Sequence, residues 1–422
     1  YSGSAVFAPA LEAMPDRQLS FGRRLLDAGQ LAPWQVFYTL SHMKKWDCAL
    51  TDIIKSKGWQ TEAQLLPHLS KHYFAQVVDL NQAPPDDRLA RLLSPNFCIQ
   101  HAIIPWINLN GQLAYVTSRP HAFDELRELL PEGANGIRMA LAPEQQILDY
   151  LAKRYRMQLK HACETRVAEA QSCRSWSGKK RQRLTAIICS LLVIAALFLL
   201  FPQKSLAVLA TLILVTQVLA SSMKISAFCA SRRYSTTERP AQEADQPLPK
   251  ISVMVPLFKE TEIATALVRR LNALTYPRAL LDVILVLEEH DHQTRHALKR
   301  ANLPDWMRVI EVPSGQGLTT KPRALNFALD FCKGDIIGIW DAEDAPAPDQ
   351  LEIVAARFAN SPKDVACLQG ILDYYNPRTN WLSRCFTLEY STWFRVVIRG
   401  MSRLSAPVPL GGTTLFLRRN AI

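Results

Sequence analysis

Ile336-Ile-Gly-Ile-Trp-Asp341-Ala-Glu343-Asp344-Ala-Pro-Ala-Pro348 is an apolar run that ends abruptly in acids and prolines. The pattern predicts a buried strand emerging at the edge of a sheet. Side chains two apart on an extended chain point the same way, which would set Asp341 and Glu343 on one side to share a divalent cation. Hard oxygen ligands suit Mg²⁺ or Mn²⁺, ions that commonly serve bound phosphates. The bland alternative is an acidic turn capping a helix that begins at Asp349.

The flanking sequence favours the first reading. After the polar linker at Gln242 comes Ile251-Ser-Val-Met-Val-Pro256-Leu-Phe-Lys-Glu260, a β-branched run followed by a helical pattern that ends near Tyr276-Pro277. A second run, Leu281-Asp-Val-Ile-Leu-Val-Leu-Glu288-Glu289, again finishes in carboxylates. Strands alternating with helices predict a parallel α/β sheet, whose ligands bind outside the carboxyl ends of the strands. Three strand ends therefore converge on one expected cleft.

These residues resemble family 2 glycosyltransferases, in particular the membrane-embedded processive exopolysaccharide synthases related to cellulose and hyaluronan synthases. The matching pieces are Val255-Pro-Leu-Phe-Lys-Glu260, Glu288-Glu289, Lys321-Pro-Arg-Ala-Leu-Asn326, Asp341-Ala-Glu343, Gln369-Gly370 and Gly411-Gly412-Thr413-Thr414-Leu-Phe-Leu-Arg418-Arg419, in the family's order over residues 249–422. The resemblance implies a GT-A-like, Rossmann-type mixed sheet domain. It further implies donor binding by Pro256, Glu260, Glu288, Glu289, Lys321, Asn326, Asp341, Gln369 and Gly412, with a metal on Asp341 and Glu343. The implied donor is a nucleotide-diphosphate sugar, a UDP-sugar by family habit, and the acceptor a growing polysaccharide.

Each piece has a chemical reason. Breaking the glycosidic bond leaves a diphosphate whose charge a metal can stabilise, and Lys321 would add a point charge beside it. A solvated first helical turn is the alternative for Lys321 and Arg323. Two departures stand out: Glu343 replaces the family's second Asp, and Lys321-Pro-Arg-Ala replaces the commoner Lys-Ala-Gly. The family places its general base (Thr-Glu-Asp) and its Q-x-x-R-W beyond the Gly-Gly-Thr segment, where this chain stops at Ile422, so the expectation is a fragment cut at both ends with its catalytic base unknown.

Leu184 to Phe201 is uncharged and long enough to cross a bilayer, and a second apolar segment runs from Ser205 to about Met223, which predicts a transmembrane hairpin. A buried core helix pair is the alternative. Arg174, Lys179, Lys180, Arg181 and Arg183 precede the hairpin and Lys224, Arg232 and Arg233 follow it, whereas its turn carries only Lys204. By the positive-inside rule both flanks are cytoplasmic, so the expected location is the bacterial inner (cell) membrane, multi-pass, with both soluble domains cytoplasmic. The net charge of +11 is then explained by anionic membrane lipid and requires no nucleic acid. Nine scattered cysteines without paired metal spacing fit reduced thiols.

The N-terminal part carries an internal repeat. Phe21-Gly22-Arg-Arg-Leu25-Leu26-Asp-Ala-Gly29-Gln-Leu31 recurs as Leu50-Thr51-Asp-Ile-Ile54-Lys-Ser-Lys-Gly58-Trp-Gln60, and Leu40 aligns with Leu69. Each half reads as a helix ended by Gly and then a second helix. Two strands around Asn110-Gly111 follow, then helices at 122–130 and 143–155. This part resembles the mostly helical α+β N-terminal domain of type II secretion and pilus ATPases, a module that in several proteins binds cyclic di-GMP. On this chain the resemblance implies a site at Gly22, Leu25, Gly29, Lys44, Lys45 and Gly58, although Ser20, Ala49, Met43 and His72 replace the motif's arginines and glutamines. A docking domain without ligand is the alternative.

The expected organisation is a disordered segment 1–16, a regulatory domain 17–158, a basic linker 159–183, a hairpin 184–230, a linker 231–248 and the transferase domain 249–422. Two functions compete: a membrane glycosyltransferase controlled through its N-terminal domain, and a membrane-tethered scaffold with a non-catalytic sugar-nucleotide fold.

Overall fold

The computed structural model describes residues 16–133, 136–172, 180–232, 247–260, 263–301, 303–304, 306–314, 319–374 and 376–422. Residues 1–15, Arg174, Lys179, Arg233 and most of the linker 231–248 lie outside that set. The chain forms two compact units, one of residues 1–164, 240–368 and 415–422, the other of residues 165–239 and 369–414.

The first unit opens with the repeat. Helices α1 (Asp16–Asp27) and α2 (Pro33–Trp46) are echoed by α3 (Leu50–Ser56) and α4 (Glu62–Tyr73). Gly29 (φ 65°) and Gly58 (φ 66°) end α1 and α3 in the left-handed conformation that only glycine adopts freely. Both ends close by the same bond pattern, Gly29 N to Leu26 O and Gln30 N to Leu25 O, then Gly58 N to Lys55 O and Trp59 N to Ile54 O. Phe21, Leu25, Leu50, Ile54, Leu65 and Leu69 fill the core between the helices.

Behind the repeat lies a sheet of order β1-β4-β3-β2. Strands β2 (Ile103–Leu109) and β3 (Gln112–Thr117) pair antiparallel around Asn110 and Gly111, as the turn residues predict. Strands β1 (Gln76–Val77) and β4 (Ile137–Leu141) join it in parallel and have no strand signal in the sequence, being short and mixed in polarity. The helices of this part are α5 (Pro95–His101), α6 (Phe123–Arg127), α7 (Glu144–Arg154) and α8 (Arg156–Thr165).

The larger sheet has the order β7-β6-β5-β8-β10-β9. Strands β5 (Ile251–Leu257), β6 (Leu281–Glu288), β7 (Met307–Val312) and β8 (Ile336–Ile339) are parallel, while β10 (Leu415–Arg418) runs antiparallel to β8. Strand β9 (Cys367–Gln369) forms the far edge. All eight residues of β6 are buried, which is why Val283 to Leu287 read as a continuous apolar run rather than an alternating one. Helices α11 (Ile263–Asn272), α12 (His292–Arg300), α13 (Lys321–Leu329) and α14 (Gln350–Ala359) connect the strands. The chain proceeds from β5 to β6 and β7 on one side and then to β8 on the other, which makes the carboxyl ends of β5 and β8 a topological switch point.

The second unit contains α9 (Lys180–Leu200) and α10 (Pro202–Arg232), whose 18-residue apolar stretches have mean hydropathy 2.5 and 2.0, both long and apolar enough to span a membrane. With 31 residues, α10 extends well past the segment read from the sequence. At about 1.5 Å per residue it outruns a hydrocarbon core of about 30 Å. Its last turns pack against a π turn at Trp393–Val397 and α16 (Ile398–Arg403), which continue the chain from α15 (Trp381–Thr392). A Cβ on Gly400 would stand 2.0 Å from the Ala227 carbonyl oxygen, so the α10–α16 contact requires glycine. Arg403 Nη1 donates to Ala230 O at 3.3 Å and Ser231 O at 3.2 Å, capping the carbonyl end of α10.

Candidate active site

The carboxyl end of β5 is fixed by α12. Buried Asp291 accepts from Lys259 N at 2.6 Å and caps its own helix by accepting from Thr294 N at 3.0 Å, while Glu260 N donates to Thr294 Oγ1 at 2.8 Å. Burial opposes charge on Asp291, but the hydrogen bonds from Thr294 and Lys259 outweigh it and hold its carboxyl below the usual range. These contacts place Glu260 at the mouth of the switch point. Pro256, the penultimate residue of β5, lies opposite Val286 of β6.

Across the switch point, β8 stops at Ile339 and Asp341–Asp344 form a turn, in which Asp344 N donates to Asp341 O at 3.1 Å and the Asp344 carboxylate accepts from Asp341 N at 2.9 Å. The two-residue strand period therefore does not set the directions of Asp341 and Glu343; the turn does. Asp341 pairs with Lys321 at the start of α13, and the Glu343 carbonyl accepts from Arg270 of α11 at 2.9 Å. Burial, then the neighbouring carboxylates of Glu343 and Asp291, push the Glu260 carboxyl above its ordinary value.

Among the described residues no three acidic, histidine or cysteine side chains stand close enough to hold a metal alone. Mg²⁺ and Mn²⁺ are commonly bound by one or two carboxylates completed by substrate phosphates. The Asp341–Glu343 turn fits that partial donor set, and the mutual repulsion of Glu260 and Glu343 is the kind a cation relieves.

The end of β6 is differently occupied. Glu288, 4% exposed, receives Arg323 Nη1 at 3.1 Å, and the same guanidinium donates through Nε to Glu164 of α8 at 3.0 Å. Burial raises the Glu288 pKa and Arg323 offsets part of the rise. Glu289 takes both arms of Arg156, also on α8, at 2.6 Å each, and accepts from Ser314 N at 3.0 Å. These bonds, Arg156 first, lower its pKa to about 2. Asn326 Nδ2 donates to Cys163 O of α8 at 3.2 Å. Two of the sequence-predicted donor residues, Glu289 and Asn326, thus meet one helix of the N-terminal part, and Glu288 is tied to it through Arg323.

Gln369 and Gly412 belong to the second unit. There the Gln369 amide knits the two motifs together, donating to Thr413 O at 3.1 Å and accepting from Gly411 N at 2.7 Å. Back in the first unit, the Arg418-Arg419 pair is structural: Arg418 donates to Phe358 O at 2.7 Å and Val365 O at 2.9 Å, and Arg419 to Gly334 O at 2.7 Å.

In the repeat, Gly22 and Leu25 face the core; a Cβ on Gly22 would stand 3.1 Å from Leu50 Cδ1, and Leu25 is fully buried. Gly29 and Gly58 border open space, and Lys44 and Lys45 are exposed at the end of α2. Of the residues that replace the ligand motif, Met43 and Ala49 are core and His72 Nε2 pairs with Arg17 O at 2.9 Å.

Sequence reasoning missed Asp291, Thr294, Arg156 and Glu164. Only Arg323 left a signal, as a large cation where the motif it resembles carries a small residue.

Residues 249–422 match the family model described as Glycosyltransferase like family 2, and residues 69–161 match that of the MshEN domain. The chain carries both domains. It is 28% identical over 187 residues to the beta-monoglucosyldiacylglycerol synthase of Trichormus variabilis, covering 43% of this chain and 38% of that protein. It is 23% identical over 195 residues to the probable glycosyltransferase YdaM of Bacillus subtilis, covering 45% and 46%. The chain therefore spans less than half the length of these curated relatives. Among solved structures, the mannosyltransferase PcManGT of Pyrobaculum calidifontis in complex with GDP-Man and Mn2+ is similar at 22% identity and a TM-score of 0.38, over 49% of this chain and 55% of that one.

Proposed function

We propose that the chain is a glycosyltransferase of the bacterial inner membrane that moves a sugar from a nucleotide-diphosphate donor, a UDP-sugar, to a growing exopolysaccharide under control of its N-terminal domain. The observation that carries this reading is the meeting of Glu260, Lys321, Asp341 and Glu343 at the carboxyl ends of β5 and β8. Acids beside a lysine at a switch point suit a diphosphate and its cation.

In this reading Asp341 and Glu343 hold Mg²⁺ or Mn²⁺, which when bound withdraws charge from the leaving diphosphate. Lys321 exchanges its partner Asp341 for a phosphate oxygen and supplies a point charge. Asp291 and Thr294 keep Glu260 in place while the donor enters. Glu288, Glu289 and Asn326 line the nucleobase side, and Pro256 shapes the floor. Gln369 holds the Gly411–Thr414 loop together, and both Gln369 and Gly412 belong to the proposed donor-binding set. The basic flanks of α9 and α10 hold both soluble parts on the cytoplasmic face, against anionic lipid.

For the N-terminal domain the effector is cyclic di-GMP, held by Lys44, Lys45 and the open helix ends at Gly29 and Gly58. Radiolabel transfer from a panel of UDP- and GDP-sugars in membranes, with Mn²⁺ or Mg²⁺ and with or without cyclic di-GMP, tests both statements. Metal-dependent incorporation from one UDP-sugar, raised by cyclic di-GMP, is expected. Incorporation from none of the donors would remove the enzymatic reading.

A further inference from the structure

Helix α8 ends the N-terminal part, yet its Arg156 and Glu164 side chains are spent on residues of the transferase part. Arg156 and the Cys163–Glu164 pair stand seven and eight residues apart, about two turns, so they share one face. That face meets Glu289 through Arg156, Asn326 through the Cys163 carbonyl and Arg323 through Glu164. Leu159 and Cys163 are each 2% exposed beneath these contacts.

We propose that α8 and the nucleobase of the donor compete for one surface, the carboxyl end of β6, so that the N-terminal domain gates the crevice by docking or releasing this helix. The inference rests on the donor reading above. Its ground is the count of acceptors. Both Glu289 oxygens are taken by the fork of Arg156, and Ser314 adds its backbone N–H and a side-chain hydrogen bond, so the four lone pairs of the carboxylate are all engaged and none is left for a base N–H or a ribose hydroxyl. A base that uses Glu289 must displace Arg156.

The latch is built to open. The Arg156–Glu289 pair keeps 44% and 34% of its side chains in solvent, so water can replace either partner at small cost. The Arg323 hub beneath is 3% exposed and retains Glu288 when Glu164 leaves, so release strands no buried charge. Glu289 stays ionised across the physiological range, so pH does not work the latch.

The test uses the full chain in lipid nanodiscs, with UDP or GDP plus Mn²⁺ as probe, read by calorimetry and by hydrogen exchange of α8. Arg156→Ala should speed exchange in α8 and tighten nucleotide binding about two- to fivefold, the scale of one exposed charge pair. Saturating the unaltered chain with nucleotide should likewise unprotect α8. Arg156→Lys, which keeps the charge and loses the fork, should fall between. Equal affinity in the unaltered chain and Arg156→Ala, with α8 protection indifferent to nucleotide, would overturn the gate and leave the donor reading standing. Weaker binding in Arg156→Ala would also overturn it, since α8 would then complete the site. Nucleotide bound by no variant while α8 exchange still responds to Arg156→Ala would overturn the donor reading, and the competition with it.

Discussion

Asp341 and Glu343 are where the proposed chemistry is most exposed to test. Asp341→Asn and Glu343→Gln keep shape and remove charge, so each should lower sugar transfer about 10²- to 10³-fold while leaving membrane insertion intact. Undiminished transfer by both variants would take the cation away from this turn. The sequence singled the pair out through the motifs around it, since an apolar strand that ends in acids can equally lead into a helix cap. The geometry of the pair was not legible, because the turn bond from Asp344 N to Asp341 O forms only after β8 has stopped at Ile339. Arg418 and Arg419 show the opposite limit. They read as part of a donor motif, yet their guanidiniums cap backbone carbonyls of α14 and of the loop before β8.

At the scale of elements, the long apolar strands and helices announced themselves, and short ones did not. Strand β6 is apolar but for Asp282 and Glu288, and helices α9 and α10 each carry a long apolar stretch, whereas β1 has two residues and takes its conformation from β4. The hairpin's orientation yields a direct prediction: reporters fused after Arg183 and after Arg233 should both report cytoplasm, because basic flanks resist translocation. A periplasmic signal from either would mean that one helix does not span. A second prediction concerns Gly400. Gly400→Ala places a methyl 2.0 Å from the Ala227 carbonyl and should destabilise the α10–α16 contact by about 1–3 kcal/mol, read as an earlier thermal unfolding midpoint in detergent.

At the scale of the molecule, the N-terminal part and the transferase sheet share the first compact unit, joined by a charge network at the opposite end of the sheet from the crevice. Glu144 pairs with Lys333 at 2.8 Å and with Arg119 at 2.8 Å. Burial alone would raise the Glu144 pKa, but Lys333 and Arg119 outweigh it and hold it well below the ordinary value, while burial draws Lys333 down to about 8. Glu144→Gln should cost about 2–3 kcal/mol by leaving two cations short of a partner, a figure reduced because Arg119 keeps 26% of its side chain in solvent. The sign with pH follows from the lowered carboxyl: its stabilisation is full above the unfolded value of about 4.3 and is lost as pH falls through the folded one. The gap in unfolding temperature between the unaltered chain and Glu144→Gln should therefore narrow from pH 7 toward pH 3.5. A gap that does not change with pH would show that Glu144 contributes through packing.

The sequence by itself determined the local matters: the repeat with its two glycine-ended helices, the Asn110–Gly111 hairpin, the parallel strands and their acidic ends, and the two membrane-length helices. Each of these follows from residues within a few turns or strand lengths of one another, where backbone sterics and hydrophobic period decide. Only the tertiary structure decided that Arg156 would hold Glu289, 133 positions away, and that Arg323 would join Glu164 to Glu288. The Arg323 pairs form because burying a charge without a partner is costly. Which partner it finds depends on which chain segments the fold brings together, and no local pattern encodes that.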